Sequence, residues 1–120
     1  MEKITAVLVV TYNRVNLLKE NIEALLNQTR NDLDIYIVDN ASSDGTAELV
    51  EKYMENNSNI FYYNTCSNLG GAGGFSYGLR IIYRKNYRYC WIMDDDTVPM
   101  EKAYESLVNK AQILKDEFSF

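Results

Sequence analysis

Residues 4–11 read ITAVLVVT, an unbroken run of apolar and β-branched side chains closed by the polar Tyr12, Asn13 and Arg14. A strand with one wet face alternates apolar and polar residues. A run without alternation fits a strand covered on both faces, as in a parallel sheet sandwiched between helices. The residues that follow fit that expectation. Leu18, Ile22, Leu25 and Leu26 recur at helical spacing and predict a helix to about Gln28, with Asn13 or Asn16 as its N-cap. Leu33–Asp39 (LDIYIVD) is the second strand; after the polar turn 40–45, Ser43 or Asp44 caps a helix carrying Leu49, Val50, Tyr53 and Met54. Ile60–Asn64 is a short third strand. The glycine-dense stretch 68–74 leads from it into a helix reaching about Arg84, with Phe75, Leu79, Ile82 and Tyr83 expected on the inner face. Tyr89–Met93 is the fourth strand and ends in Asp94, Asp95 and Asp96. A last helix after Pro99 places Ala103, Leu107, Ala111 and Leu114 inward.

Strand followed by helix, four times over, specifies an α/β fold: a Rossmann-like parallel sheet with flanking helices. Such sheets bind ligands at the carboxyl ends of their strands. Each unusual cluster in the chain follows a strand end, namely residues 11–14, 39–44, 68–74 and 94–96, so all are expected to converge on one crevice. At 120 residues the chain is read as one domain, 1–120, with no internal boundary. The net charge of −5 argues against a nucleic-acid partner. The one basic cluster, Arg80, Arg84, Lys85 and Arg88, reads as a solvated helix end, with an acidic or lipid-headgroup contact as the alternative. The opening apolar run is too short to span a bilayer and lacks a signal peptide's cleavage region, which predicts a cytoplasmic domain. Cys66 and Cys90 have neither the spacing for a zinc site nor a disulfide framework. With no histidine in the chain, Ser/His and Cys/His catalysis is excluded from this segment.

Three adjacent carboxylates after an apolar strand repel one another unless a cation compensates them. Capping the next helix needs one of them, not three. Mg2+ or Mn2+ suits an all-oxygen site that leaves positions open for phosphate oxygens. Asp39 closes a buried strand, where a carboxylate can accept from a ribose hydroxyl or from the N3–H of uracil; the competing reading is a turn-forming Asp in DNASSDG. Backbone amides in the glycine stretch attract anions at a helix N-terminus, although close packing of that helix on the sheet explains the glycines equally well. Asn68 precedes them as a candidate ligand contact, and Tyr12 could stack on a base, although an aromatic at a strand end more often serves packing or the rim.

Taken together, VVTYNR at 9–14, VDNASSDGT at 38–46, NLGGAGGF at 68–75 and MDDDTVP at 93–99 resemble the N-terminal, donor-binding half of the family 2 glycosyltransferases. These enzymes have the GT-A fold, invert the sugar and depend on nucleotide sugars. The resemblance covers nearly the whole chain and is strongest to the rhamnosyl- and galactofuranosyl-transferase branches. It implies a UDP- or dTDP-sugar donor, with Thr11 and Tyr12 beside the base, Asp39 on uracil, and Asn68, Gly70 and Gly71 lining the donor site. Asp94 and Asp96 would be the acidic ends of a DxD motif, Asp96 on Mn2+ or Mg2+ and Asp94 also near the ribose, with Asp95 between them in the substrate site. The bound cation would neutralise the leaving diphosphate.

The family's catalytic base lies beyond the point where this sequence stops. No catalytic residue is therefore assigned within it, and the domain alone is expected to be inactive. The acceptor would be a glycan or a lipid-linked sugar held by the missing half, in cell-wall polysaccharide synthesis, with peripheral contact of the full-length protein at the inner face of the membrane. The uncovered sheet edge predicts self-association of the fragment. One alternative is a phosphatase of the haloacid dehalogenase type, whose loose DxDx[TV] signature fits residues 94–98 but belongs after a first strand. Another is a non-catalytic nucleotide-binding domain.

Overall fold

The computed structural model describes residues 2–117, with side chains to residue 112. Its elements are β1 (Thr5–Thr11), α1 (Val15–Leu26), β2 (Leu33–Asp39), α2 (Thr46–Asn56), β3 (Ile60–Asn64), α3 (Gly70–Tyr83), β4 (Tyr89–Asp94) and α4 (Ala103–Glu117). All strand pairs are parallel, in the order β3-β2-β1-β4. The two inner strands, β1 and β2, are buried at every position, whereas the edge strands β3 and β4 are only partly covered. The unbroken apolar run of residues 4–11 thus marks a central strand.

Side-chain alternation divides the core into two layers. Val7 and Val9 of β1 and Ile35 and Ile37 of β2 face one side, where they meet Leu18, Ile22 and Leu25 of α1, Val50 of α2, and Tyr104 and Val108 of α4. Ala6, Leu8 and Val10, with Tyr36 and Val38, face the other side, which α3 covers through Ile82.

The inner face of α3 differs from the expected one. Gly74, Gly78 and Ile82 are its buried residues, while Leu79 is 38% and Tyr83 88% exposed and Phe75 is only partly buried. The reason is the closeness of the helix to the sheet. A Cβ on Gly74 would stand 2.5 Å from Val10 Cγ1, and one on Gly78 would collide with Leu8 Cδ1. Two glycines one turn apart bring the backbone itself against β1, so the larger residues turn outward. In α4 the buried residues are Tyr104 and Val108; Leu107 is 49% exposed, and the Leu114 side chain lies outside the described residues. The aromatic Tyr104, stacked on Trp91 and donating its hydroxyl hydrogen to Thr5 at 2.8 Å, fixes the helix one residue out of the expected phase.

Neither Asn13 nor Asn16 caps α1. Its N-cap position is Arg14, and the Val15 amide instead donates to Asp44 Oδ2 at 3.0 Å, from the loop after β2. The other oxygen of Asp44 accepts from the Thr46 hydroxyl at 2.6 Å, so one carboxylate serves the starts of α1 and α2 together. Burial alone would raise its pKa. The hydrogen bonds from Thr46 and from the Val15 and Thr46 amides outweigh it and hold the group below the ordinary value. Asn13, with φ of 50°, completes the stitching: its amide donates to Ser42 Oγ and its side-chain oxygen accepts from the Ser43 amide, both at 2.8 Å.

Candidate functional site

The strand order reverses between β1 and β4, since the chain moves outward from β1 through β2 to β3 and then returns to the far side of β1. Loops leaving β1 and β4 at that point diverge and leave a crevice at the carboxyl end of the sheet. Here it measures about 400 Å³ and is lined by Val10, Thr11, Tyr12, Arg14, Asn40, Asn68, Gly70, Gly71, Phe75 and Asp94 to Asp96. Four strand-end clusters therefore meet as expected, with one substitution of partner: the loop after β2 contributes Asn40 rather than Asp39.

Asp39 does not line the crevice. It is fully buried; Oδ1 accepts from the Ser42 amide at 2.9 Å and Oδ2 from the Tyr62 hydroxyl at 2.5 Å. Burial and the adjoining Asp39 carboxylate push the Tyr62 phenol well above its ordinary pKa, so the proton stays on the tyrosine. In this arrangement Asp39 fixes the 40–42 turn through the Ser42 amide and holds the Tyr62 hydroxyl.

The aspartates after β4 separate into two kinds. Asp94 and Asp96 are exposed, and Asp95 is 4% exposed. Asp95 Oδ2 accepts from the Thr11 hydroxyl at 2.9 Å, and Oδ1 lies 3.5 Å from Arg14 Nη1. Burial raises the Asp95 pKa, opposed by the Thr11 hydrogen bond and the Arg14 charge and reinforced by Asp96 and Asp94. Thr11 and Asp95 both line the crevice and are also paired with each other. Their bond ties the end of β1 to the turn after β4, leaving Asp94 and Asp96 free at its two sides. Asn21 of α1 holds the same turn from behind, donating to the Thr97 carbonyl at 2.8 Å.

Across the crevice stands the N-terminus of α3. Asn68 Oδ1 accepts from the Gly70 amide at 2.9 Å, so its oxygen closes the helix start. Gly70 has φ of 76°, and neither Gly70 nor Gly71 has any atom within 4 Å of where a Cβ would stand, unlike Gly74 and Gly78. The glycines divide into two groups: Gly70 and Gly71 open onto the crevice, and Gly74 and Gly78 pack the helix on the sheet. Asn40 donates to the Gly70 carbonyl at 3.0 Å and anchors this helix start to β2. Tyr12 keeps 44% of its surface exposed at the rim, its ring face available for stacking.

Sequence reasoning missed Arg14, Asn40 and Phe75 as lining residues. Arg14 stood inside the quoted motif as a cation among acidic strand ends, a readable signal. Among the described residues no group of three or more ligating side chains could hold a metal. Two exposed carboxylates are a donor set that suits Mg2+ or Mn2+ only when phosphate oxygens and water complete the shell, which is the usual way these ions bind in sites for phosphorylated substrates.

The profile of the family described as "Glycosyl transferase family 2" matches residues 6–118. Among curated relatives, abequosyltransferase RfbV of Salmonella typhimurium is 39% identical over 89 residues, covering 72% of this chain and 26% of the relative. Galactofuranosyltransferase GlfT1 of Mycolicibacterium smegmatis is 30% identical over 99 residues, covering 82% and 32%. The chain thus spans about a quarter to a third of these relatives. Among solved structures, Staphylococcus aureus TarS 1-349 in complex with UDP-GlcNAc superposes with a TM-score of 0.76 at 24% identity, covering 97% of this chain and 32% of that one. Mannosyltransferase PcManGT from Pyrobaculum calidifontis, in complex with GDP-Man and Mn2+, gives 0.72 at 24%, covering 95% and 33%. These likenesses agree with the parallel sheet and flanking helices described above.

Proposed function

Since the chain belongs to the family 2 glycosyltransferases, we propose that residues 1–120 form the donor-binding part of an inverting transferase that takes its sugar from a nucleoside diphosphate and needs a divalent cation. The observation that carries this reading is the facing of two groups across one crevice: the exposed Asp94 and Asp96 on one wall, and the N-terminus of α3 on the other, where Gly70 and Gly71 put no side chain in the way. A diphosphate between them meets helix N–H groups on one side and a cation held by the two carboxylates on the other. Mn2+ or Mg2+, when bound, would neutralise charge building on the diphosphate as the bond to the sugar breaks. Tyr12 offers its ring to the base, and Phe75 excludes water from the helix side of the crevice.

No described acidic residue other than the three aspartates lines the crevice. The proton acceptor for the attacking hydroxyl is therefore assigned to residues outside this segment, along with the groove for a glycan or lipid-linked acceptor. Donor nucleotides with uracil or thymine, UDP and dTDP, are the first to test. A cytoplasmic site of action belongs to the same reading; among the described residues no helix is long and apolar enough to cross a membrane.

Calorimetric titration of the chain with UDP, dTDP and GDP, each with Mn2+ and with chelator, tests the proposal. Tighter binding of at least one nucleotide in Mn2+ is expected. Equal affinity with and without the cation would remove the metal-bridged diphosphate from consideration. A labelled nucleotide sugar with lipid extract should yield no product from these 120 residues, and turnover by them alone would place the base within the segment.

A further inference from the structure

Helix α3 stands alone on its side of the sheet, whereas α1, α2 and α4 share the other. Its inner stripe is Gly74, Gly78 and Ile82, so Ser76, Arg80, Tyr83 and Arg84 fall on the bare outer side. Residues 65–93 contain no aspartate or glutamate, although the chain as a whole carries −5. Four of its 12 Lys and Arg residues, Arg80, Arg84, Lys85 and Arg88, fall within this stretch. All four are exposed, and neither ion pair among the described residues involves them. Tyr83 lies among them with 88% of its surface exposed, as the shared wall of two open grooves of about 620 and 440 Å³ that also share Leu79.

We propose that this outer face of α3 docks on an anionic lipid surface, its four cations against headgroups and Tyr83 and Leu79 at the headgroup boundary. The cations are spread along a helix end and the 84–88 turn and do not converge on a point, as a pocket for a single phosphate would require. A plane of negative charge can engage all of them together. Arginine and lysine stems pack along apolar surface with their charges outward, and an amphipathic tyrosine ring suits the same boundary. Negative charge elsewhere on the protein is screened within about 8 Å at physiological salt. Asp34, beside the patch, is turned inward and accepts from the Tyr87 hydroxyl. The donor crevice opens at the other end of the 14-residue α3, about 20 Å long, and none of the four cations, Leu79 or Tyr83 lines it. The inference stands independently of the transferase reading, because it uses no crevice residue.

Cosedimentation of the chain with phosphatidylcholine vesicles, with and without a phosphatidylglycerol fraction, is the test. Binding is expected only to the anionic vesicles and should fall steeply with added salt. Each cation removed should weaken it about fivefold, so the Arg80→Gln, Arg84→Gln double variant should lose about twenty-fivefold, and Tyr83→Ala several-fold at unchanged charge. Lys52→Gln on α2, across the sheet, should bind like the parent, with circular dichroism confirming that every variant is folded. Equal partition onto neutral vesicles, insensitivity to salt, or full binding by the double variant would overturn the proposal. So would gel filtration showing self-association that the double variant abolishes, without vesicle binding, since the face would then belong to a second copy of the chain.

Discussion

Three consecutive aspartates look equivalent in sequence and are not equivalent in the structure, and alanine substitution at each should separate their roles. Asp95→Ala removes the acceptor of the Thr11 hydroxyl, on a residue that is 2% exposed. An unsatisfied buried donor costs about 1–3 kcal/mol. The contact to Arg14 adds little, because that side chain is 54% exposed and 3.5 Å away. For a domain of this size about 1 kcal/mol corresponds to roughly 3–5 °C in the melting midpoint, so Asp95→Ala should melt roughly 4–12 °C lower. Asp94→Ala and Asp96→Ala remove exposed carboxylates without hydrogen-bond partners to orphan, and should stay within about 0.5 kcal/mol of the parent.

Cation affinity should respond in the reverse order. Losing a group that only orients a metal ligand already costs about 10–100-fold, so loss of Asp96 itself should weaken Mn2+ binding in the presence of nucleotide by at least that much. Asp95→Ala should retain most of the affinity at temperatures where it is folded. Differential scanning fluorimetry paired with Mn2+ titration reads both quantities on the same samples. If Asp95→Ala lost the cation response at an unchanged midpoint while Asp96→Ala kept it, the division into one anchoring and two ligating aspartates would be wrong.

The glycines of α3 should divide in the same way. Gly78→Ala overpacks the contact with Leu8 at a cost of about 1–3 kcal/mol, offset by about 1 kcal/mol of helix propensity, and should lower the midpoint; Gly71→Ala, in the first turn, meets no atom within 4 Å and should leave the midpoint unchanged or slightly raised while weakening nucleotide binding through a methyl at the crevice wall. Arg30 holds Asp32 through two 2.8 Å hydrogen bonds, which together with its charge keep the Asp32 pKa below the ordinary 3.8. A depressed carboxylate pKa contributes stability above the unfolded value that is lost as pH falls through the folded one. The parent should therefore exceed Arg30→Gln by about 1 kcal/mol at neutral pH, with the gap narrowing as pH is lowered past 3.8 in chemical denaturation. A gap that does not change with pH would assign it to the Arg30 contact with the Tyr104 ring alone.

The sheet and its ligand-binding end were legible because they follow from patterns that are local in sequence. An apolar run such as residues 4–11 can only be buried on both faces, and a polar cluster after each strand can only lie at one end of a parallel sheet. The inner faces of α3 and α4 were not legible to the same degree. Apolar periodicity counts side chains, and α3 packs by the absence of them at Gly74 and Gly78; in α4 a single aromatic hydroxyl, on Tyr104, bonds to Thr5 and sets the phase. The cap of α1 was out of reach for another reason, since Asp44 lies 29 residues from the amide it accepts from.

Much of what the site does was nonetheless available from the period of two along a strand. In β1 the even-numbered residues face α3 and the odd ones face α1, α2 and α4; the same parity holds in β2, where Tyr36 and Val38 lie under α3, and in β4, where Met93 belongs to the other layer. Continued to the strand ends, it sends Val10, Asn40 and Asp94 toward α3 and the crevice beside Gly70. It turns Thr11 and Asp39 toward the other layer, where each acquires an internal partner, Thr11 in Asp95 and Asp39 in Tyr62. A polar residue at the end of a buried strand therefore has two fates separated by one position. One register opens toward α3 and the other fixes the loop beside it, with Thr11 still bordering the crevice, so telling that Asn40 rather than Asp39 lines it required counting back to the core residues of the same strand.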